Sequence, residues 1–578
     1  MSQQDTKDMA KYFYRASAAD FMKVPGYPII YSASERVIEA FSSGLLSSDF
    51  ISDGSLKTGN NDKYIRFHWE VNAGCRSIQG PWRDHPKGGD FRKWSGNREC
   101  VVCWTKESIS HYQKDYIARI LNQKYWDLEG ISWSAITSGA PSFRVLRESD
   151  IANNAALCIF PKKQGDLYRN LAYLNSKVGE FFLGFRTQTL NFLVGDVMGI
   201  PINSAVEERA STIAESCVEI ADIDWDSFET SWNFERLSIV DRQAYGKKLR
   251  DRYIEEKNRW EQMTAELQCL ESENNRLFIE AYRLQDELTP NVPIGEITLT
   301  RNPFYTYGND RHKGLLNNLV QCDYMREVIS YAIGCMMGRY SLDKTGLVLA
   351  DQGGTLKDYM SQITSPRFLP DDDAILPLTD QEWFPDDATN RFHEFVRVVW
   401  GEEHLQENLD FVAESLCLHA IKPKRGESAL DTIRRYLSTQ FYKDHMRTYK
   451  KRPIYWLFSS GKHKAFECLV YLHRYNEGTL ARMRTEYVIP LSAKLSAYAE
   501  KLEQDKDASS SAAETKRLEK EIATLHKQQT ELAEFDEKLR HYADQRISLD
   551  LDDGVKVNYG KFGDLLAEVK AVTGLKPQ

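Results

Sequence analysis

The sequence predicts an α/β domain, followed by a mainly α-helical spacer and a C-terminal region with an antiparallel helical hairpin. Three observations predict this class. Short apolar runs alternate with clusters of Gly, Asn, Asp and Pro over residues 23–205, a heptad-like pattern follows, and two apolar stripes flank a polar turn near the C-terminus. Short apolar runs between turn residues favour strands, whereas apolar residues spaced three and four positions apart favour helices.

Changes in these patterns divide the chain into five predicted segments. They are an N-terminal linker, the α/β domain, a long helical spacer, a helical domain, and a basic segment with the hairpin, at residues 1–22, 23–205, 206–290, 291–420 and 421–578. Within the spacer, apolar residues at alternating a and d positions predict one long helix, or two, with a coiled-coil-like seam over about 234–288. The stripes of the hairpin are Leu491, Leu495, Tyr498 and Leu502, and Leu518, Ile522, Leu525 and Leu532.

Length and composition fit several globular domains. The chain has 578 residues, of which 42% are hydrophobic and 28% are charged, and its net charge is −9. This composition excludes a disordered or collagen-like chain, and the net charge argues against a uniformly basic nucleic-acid binder. The 10 cysteines are dispersed, the N-terminus lacks an apolar core, and no apolar run approaches the ~18 residues of a membrane span. These features predict a cytoplasmic protein that does not enter a membrane.

The usual motifs of a self-sufficient nucleotide-dependent enzyme are missing. No G-x-G occurs, so the glycine-rich loops that bind dinucleotides or S-adenosylmethionine are not predicted. The segment Asn302-Pro303-Phe304-Tyr305 is close to the Asn/Asp-Pro-Pro-Tyr loop with which adenine N6-methyltransferases hold a flipped base. Because Phe304 replaces the second Pro and no cofactor loop precedes it, the favoured interpretation is a structural turn, with a catalytic role as the alternative.

Two glycine-rich polar stretches are candidates for DNA contact. Paired glycines let the backbone approach a ligand closely, Arg and Lys suit guanine edges, and Asn suits adenine. The candidates are Lys57, Thr58, Asn60, Lys87, Gly88, Gly89, Arg92, Lys93, Trp94 and Asn97. From the residues alone, an ordinary polar loop is the favoured interpretation. Cys100 and Cys103 form the only C-x-x-C, and without a second pair they predict core packing rather than a zinc site.

Charge is distributed unevenly in the second half of the chain. Residues 371–414 contain 13 acidic residues and two basic ones, whereas residues 421–464 contain 12 basic residues and three acidic ones, with aromatics between them. Two interpretations remain open: contact with DNA phosphates with stacking of bases on the aromatics, or docking of the basic stretch on the acidic one. The candidates for DNA contact here are Lys450, Lys451, Arg452, Lys462 and Lys464.

Eight blocks, in order along the chain, resemble the BREX phage-defence adenine-specific DNA methyltransferase family (PglX). They are VPGYPIIY at Val24–Tyr31, LKTGNNDKYIR at Leu56–Arg66, KGGDFRKWSGN at Lys87–Asn97, LNSKVG at Leu174–Gly179, DWDSFETSW at Asp224–Trp232, LQDELTP at Leu284–Pro290, ISYAIGCMMGRYSLD at Ile329–Asp343 and a long block at Lys451–Tyr475. In that family, the cofactor loop and the Asn-Pro-Pro-Tyr motif lie upstream of the first block. The resemblance therefore covers only the C-terminal half of such an enzyme.

The resemblance implies the target-recognition and C-terminal half of a site-specific adenine-N6 DNA methyltransferase in anti-phage defence. Residues 23–205 are then the recognition domain, and this chain supplies no catalytic residue, cofactor site or metal site. The implied partners are double-stranded DNA, a separate catalytic half that uses S-adenosylmethionine, and other BREX components. One alternative is a DNA-binding specificity or regulatory subunit without methyl transfer. Another is a stand-alone enzyme that uses Asn302–Tyr305 with an unrecognised cofactor site.

Overall fold

A computed structural model describes Val24 and residues 33–137, 139–187, 189–203 and 208–574. The predicted linker and all of the first family block except Val24 lie outside the described residues. The chain forms two compact units, each built from separate stretches. The first unit comprises residues 1–65, 76–226 and 259–311, and the second comprises residues 66–75, 227–258 and 312–578.

A four-stranded antiparallel sheet lies in the core of the first unit. Its strands, in order across the sheet, are Phe50–Ile51, Ala156–Pro161, Gly130–Ser134 and Phe143–Leu146. Ile131 pairs with Val145 on one side and with Ile159 on the other. Every residue of the strands Gly130–Ser134 and Phe143–Leu146 is buried, so both of their faces are covered. Trp82–Asp84 and Cys100–Cys103 form a separate antiparallel pair, and a further short strand is Ile65–Phe67.

Helices cover this sheet because their apolar residues recur on one face. Leu167–Leu174 packs against Glu208–Asp226, and Ser176 caps the next helix, Lys177–Arg186, by accepting a hydrogen bond from the Gly179 amide. The helices of the first unit are Glu35–Ala40, Asn61–Tyr64, Lys106–Lys114, Leu167–Leu174, Lys177–Arg186, Val194–Met198, Glu208–Asp226 and Pro303–Tyr307.

The predicted heptad-like stripe lies on a single helix, Leu249–Ala281. This helix is shorter than the predicted 234–288. The residues before it form two 3-10 turns instead, Ser238–Val240 and Arg242–Ala244. The second turn begins at Asp241, whose side chain accepts a hydrogen bond from the Gln243 amide. Leu267 lies in the hydrophobic core of the first unit, so the stripe packs on a globular core rather than on a partner helix of a coiled coil.

A small antiparallel sheet with helices around it forms the second unit. Its strands, in order, are Ile375–Pro377, Glu467–Tyr471 and Tyr455–Ser459. All five residues of the central strand are buried. The helices are Lys313–Met336, Leu356–Gln362, Ala388–Trp400, Leu405–His419, Ala429–Tyr436, Tyr442–Thr448, Thr479–Arg482, Ile489–Ala508, Ala512–Asp544, Gly554–Gly560 and Val569–Thr573.

The two longest C-terminal helices follow one another along the chain and contact each other. Ile489–Ala508 ends three residues before Ala512–Asp544, and the Tyr498 hydroxyl donates to Glu521 across them. The predicted class is confirmed at the level of an α/β region near the N-terminus followed by a mainly helical remainder with small antiparallel sheets. Among the described residues, no helix combines the length and apolar character that a membrane span requires.

Candidate nucleic-acid interface

The two loops that the sequence singles out emerge next to each other in the first unit. Both flank one extended segment, residues 151–153, which ends in a turn at residues 154–155. On one side, the Leu56 amide donates to the Ala152 carbonyl at 2.8 Å, and on the other the Asn153 amide donates to the Pro86 carbonyl at 2.9 Å. Because adjacent extended segments lie about 4.8 Å apart, the residues that follow, Lys57 and Lys87, start from positions roughly 10 Å apart.

A third segment, which the sequence analysis missed, joins this surface. The amides of Lys57 and Arg119 each donate to the other residue's carbonyl at 2.8 Å. His111 lies 2.9 Å from the Thr58 carbonyl through Nε2. These contacts bring the helix Lys106–Lys114 and the turn after it beside the first predicted loop.

The turn that follows this helix presents one aromatic side chain to solvent. The Asp115 carboxylate accepts hydrogen bonds from the amides of Ile117 at 2.8 Å and Ala118 at 3.0 Å, and these bonds lower the pKa of Asp115. Tyr116, at the apex of the turn, is 93% exposed. An exposed aromatic ring beside lysines suits stacking on a base or a sugar.

We call these three segments, residues 57–63, 87–90 and 114–119, the loop surface. All of its basic side chains are exposed. They are Lys57, Lys63, Lys87, Lys114 and Arg119, and the acidic residues of the same segments are Asp62, Asp90 and Asp115. The loop surface is therefore net positive in a chain whose net charge is −9. Exposed lysines and arginines at this density suit contact with DNA phosphates.

Two predicted contact residues, Thr58 and Asn60, form hydrogen bonds within the first loop. Thr58 is buried and donates through its hydroxyl to the Asn61 side chain at 2.7 Å. Asn60 caps the helix Asn61–Tyr64 by accepting a hydrogen bond from the Lys63 amide at 3.1 Å. Gly88 has a φ of 81°, and a Cβ there would lie 2.7 Å from the Ala155 carbonyl oxygen. A side chain at this position would therefore displace the loop from the segment that supports it.

The second half of the loop Lys87–Asn97 is anchored in the protein. Arg92 is buried, and its Nη2 lies 2.7 Å from the Asp224 carboxylate. Glu271 accepts hydrogen bonds from the Lys93 ammonium and the Trp94 indole, both at 2.8 Å. The predicted guanine contacts of Arg92 and Lys93 therefore find no support in this geometry, because these side chains already bind carboxylates inside the unit.

Asp224 is the centre of this anchor. Besides Arg92, it accepts hydrogen bonds from the amides of Thr300 at 2.7 Å and Arg301 at 2.9 Å. A second buried guanidinium, that of Arg144, donates to the Arg92 carbonyl at 2.9 Å, and burial together with the charge of Arg92 lowers the pKa of Arg144 to about 10. Asp224 is the first residue of the family block Asp224–Trp232, so the sequence does single it out. Nothing in that block indicates that Asp224 pairs with Arg92.

The near-match to a methyltransferase motif forms a helix cap. Asn302 is fully buried, and its amide group donates to the carbonyls of Ile294 at 2.7 Å and Ile297 at 2.9 Å. Its side-chain oxygen accepts from the Phe304 amide at 3.2 Å. The hydroxyl of Tyr305 donates to the Phe91 carbonyl. These groups are all engaged, so the segment does not fit a flipped adenine, and the geometry favours the structural turn.

We expect Asn302→Ala to lower stability and to leave DNA binding unchanged at temperatures where the variant is folded. Loss of a helix cap costs about 0.5–2 kcal/mol, and two buried carbonyls also lose their donors. Urea unfolding and DNA titration of the same preparations measure both effects. Asn302→Ser, which keeps a capping oxygen without adding a buried charge, is the matched control and should lose less stability. A stable Asn302→Ala variant that fails only in DNA binding would contradict the structural role.

The basic segment in the second unit was open to two interpretations, and the burial of its aromatics bears on the first of them. The interleaved aromatics are all buried, so they present no exposed ring on which a DNA base could stack. They are Tyr436, Phe441, Tyr442, Tyr449, Tyr455, Trp456 and Phe458. Arg434 forms a buried ion pair with Asp387 of the acidic segment, which matches the docking interpretation at that position. Tyr455, Trp456 and Phe458 are buried because Tyr455–Ser459 is a strand of the core sheet. The other four aromatics lie on the helical stretch 429–449.

The remaining basic candidates fall into two groups. Lys450, Lys451 and Lys462 are exposed. Arg452 is half-buried, and its Nη1 lies 3.3 Å from the Val572 carbonyl. Lys464 donates to the Ser438 carbonyl and to Glu467, both at 2.8 Å. Lys450, Lys451 and Lys462 stay candidates for phosphate contact. Lys464 is exposed as well, but it and Arg452 bind the groups named above within the unit.

We expect the double substitution of Lys450 and Lys451 by alanine to lower the log–log salt slope of DNA binding by about two units, at about one per lost phosphate contact. Thermal stability should hardly change, because both side chains are exposed. Arg452→Ala is the comparison and should instead lower the melting temperature. An unchanged salt slope for the double variant would remove this segment from the DNA interface.

The C-x-x-C pair lies on one short strand. Cys100 and Cys103 are the ends of the strand Cys100–Cys103, where both are half-buried, and neither forms a disulfide bond. In the described ranges, no group of three His, Cys, Asp or Glu side chains is arranged to hold a metal ion.

Two known proteins are similar to this chain in sequence. No protein-family profile matches the chain. The chain is 44% identical over 571 residues to adenine-specific methyltransferase BrxX of Escherichia coli O9:H4 (strain HS), which covers 97% of the chain and 46% of that protein. It is 35% identical over 602 residues to adenine-specific methyltransferase PglX of Lacticaseibacillus casei (strain Zhang), again 46% of that protein. The chain thus spans about half the length of these relatives, and along almost all of its own length it is similar to these two adenine-specific methyltransferases.

Proposed function

We propose that this chain is the target-recognition and C-terminal half of a BREX-type, site-specific adenine-N6 DNA methyltransferase in phage defence. The observation that carries the proposal is the loop surface. It is a net-positive surface with an exposed tyrosine, built from two of the family blocks, in a chain homologous to two adenine-specific methyltransferases. Double-stranded DNA is the ligand that this chemistry suits.

Within the loop surface, the side chains divide into two roles. Phosphate contacts position a protein on DNA, whereas contacts with base edges select the sequence. Lys57, Lys87 and Lys114 are exposed and suit phosphates. Asn60, in the loop surface, and Asn97, just outside it, carry amide groups that suit adenine edges. Each uses one side-chain atom within its loop: the Asn60 oxygen accepts from the Lys63 amide at 3.1 Å, and the Asn97 nitrogen donates to the Asp90 carbonyl at 3.0 Å. The other side-chain atom of each residue is the one that we propose for a base contact.

Methyl transfer belongs, in this proposal, to a separate catalytic half. S-adenosylmethionine supplies the methyl group when it is bound there. The engaged side chains of Asn302 and Tyr305 support this division, since they leave this chain's near-match to the motif without free groups for a flipped base. Other BREX components are further proposed partners.

A reconstitution experiment tests the division of labour. We expect calorimetry to detect no binding of S-adenosylmethionine to the purified chain. Addition of the other half of the Escherichia coli relative should restore both cofactor binding and N6 methylation of adenine in duplex DNA. Stoichiometric micromolar cofactor binding by the chain alone would overturn the proposal. DNA binding without any methylation in the mixture would favour a specificity or regulatory subunit instead.

A further inference from the structure

A large groove lies in the first unit, next to the loop surface. Its volume is about 1300 Å³. The lining comes from residues 89–91 and 93, 136–137 and 139–141, the stretch 174–185 and the stretch 287–296. Asp90 belongs both to the groove lining and to the loop surface. A molecule in the groove would therefore lie beside the residues that we propose to contact DNA.

Three exposed apolar side chains lie on the lining segment 136–137 and on the segment 190–193, whose backbone pairs with residues 135–137, and we call them the apolar rim. Its members are Ile136, Leu190 and Leu193, which are 70%, 60% and 58% exposed. Two half-buried rings, Phe181 and Phe185, line the groove itself and contact each other edge to face, with 4.9 Å between their centroids. Clusters of exposed apolar side chains on a soluble surface mark sites of interaction.

The backbone holds the rim in place. The Thr137 amide donates to the Leu190 carbonyl at 3.1 Å, and the Phe192 amide donates to the Ala135 carbonyl at 3.0 Å. The indole of the buried Trp133 also donates to the Phe192 carbonyl at 2.8 Å. The rim is thus paired with the end of a core strand, and its exposure does not come from a frayed loop.

The charges of the lining disfavour DNA. It contains the carboxylates of Asp90, Glu180, Glu287 and Glu296. Of its two lysines, Lys93 forms an ion pair with Glu271, whereas Lys177 donates to the neutral Asn291 carbonyl at 2.6 Å and keeps its charge. The four carboxylates outnumber that one unpaired cation, so the described lining is net acidic. Phosphates are repelled by such a wall, whereas Lys and Arg side chains are attracted.

We infer that this groove docks the polypeptide that carries the catalytic half, through a segment with apolar side chains flanked by Lys or Arg. The inference rests on the proposed function. The relatives are about twice as long as the region they share with this chain, so they contain a comparable length of polypeptide that needs a surface to pack on. A second copy of this chain fits less well, because two acidic grooves facing each other repel.

A single position in the groove wall offers a matched pair of variants. Gly184 lies on the helix Lys177–Arg186, and a Cβ built there meets no atom within 4 Å. Gly184→Ala should therefore leave docking intact, whereas the indole of Gly184→Trp should block the groove without disturbing the core. A rim variant, with serine at Ile136, Leu190 and Leu193, removes the apolar contacts, and Leu128→Ser, at an exposed position outside the groove, is its control.

The experiment measures binding of these variants to the other half of the Escherichia coli relative, and separately their binding to duplex DNA. We expect Gly184→Trp and the rim variant to bind that half at least 10-fold more weakly, with DNA binding and melting temperature unchanged. Gly184→Ala and Leu128→Ser should match the wild type.

Four outcomes would overturn the inference. Wild-type affinity of both groove variants for the other half would overturn it and leave the proposed function intact. Weakened DNA binding by folded groove variants would make the groove a DNA contact, and a change in self-association alone would make it a contact between copies. A wild-type chain that binds neither the other half nor DNA would overturn the proposed function as well.

Discussion

Replacement of Lys57, Lys87 and Lys114 by alanine should weaken binding to every duplex and flatten its salt dependence. These side chains are exposed on adjacent segments of the loop surface. Each lost phosphate contact removes about 0.9 units from the log–log salt slope, so the triple variant should lose about three units. Fluorescence anisotropy at a series of salt concentrations measures the slope. Arg119 is left unchanged because its Nη2 donates to the Asp53 carbonyl at 2.8 Å.

A second triple variant controls for net charge. Lys106, Lys124 and Lys163 are exposed in the same unit but lie outside the loop surface. Their replacement by alanine removes the same charge and should leave the salt slope close to that of the wild type. Equal effects of the two triple variants would show that DNA responds to the overall charge of the unit, and the loop surface would lose its special role.

Asp224→Ala should destabilise the first unit by about 3–5 kcal/mol, because the substitution leaves a buried guanidinium without its counter-charge. The amides of Thr300 and Arg301 also lose their acceptor. Urea unfolding followed by tryptophan fluorescence measures the loss. The double variant Asp224→Ala/Arg92→Ala should lose less than the sum of the two single variants, since both singles break the same pair.

The same comparison decides the role of Arg92. If Arg92 anchors the loop, Arg92→Ala lowers the stability of the protein and weakens its binding to all duplexes equally. If Arg92 instead contacts a base edge, Arg92→Ala keeps its stability. It then binds the cognate site more weakly by about 1–3 kcal/mol and no longer prefers one base at that position. Wild-type stability of Asp224→Ala would contradict the anchor that the buried ion pair indicates.

Local patterns in the sequence were sufficient to predict several parts of the fold. The stripe containing Leu249 and Leu267 predicted a long helix, because the spacing of residues on a helix face is a property of the chain itself. Its start was predicted too early, since the turn at Asp241 depends on one side-chain hydrogen bond. Glycines and lysines likewise pointed to the segments around Lys57 and Lys87, both of which are exposed.

The rest of the candidate site depends on pairing between distant residues. Tyr116 joins the loop surface because Lys57 pairs with Arg119, and no local pattern records that pairing. Arg92 is buried because Asp224, 132 positions away, supplies its counter-charge. The sequence leaves stacking of bases on the run Tyr455–Phe458 open as one of two interpretations, but a continuous apolar run is also typical of a buried strand, as the structure has it.

Selection from a random-sequence duplex library by the purified chain is the most direct test of target recognition. We expect the wild type to enrich one sequence motif, and we expect the Lys57, Lys87 and Lys114 triple variant to recover far less DNA at the same salt concentration. Enrichment of a motif would agree with a chain that selects the site to be methylated. Recovery of DNA without any enriched motif, at a salt concentration where the chain binds duplexes, would contradict it.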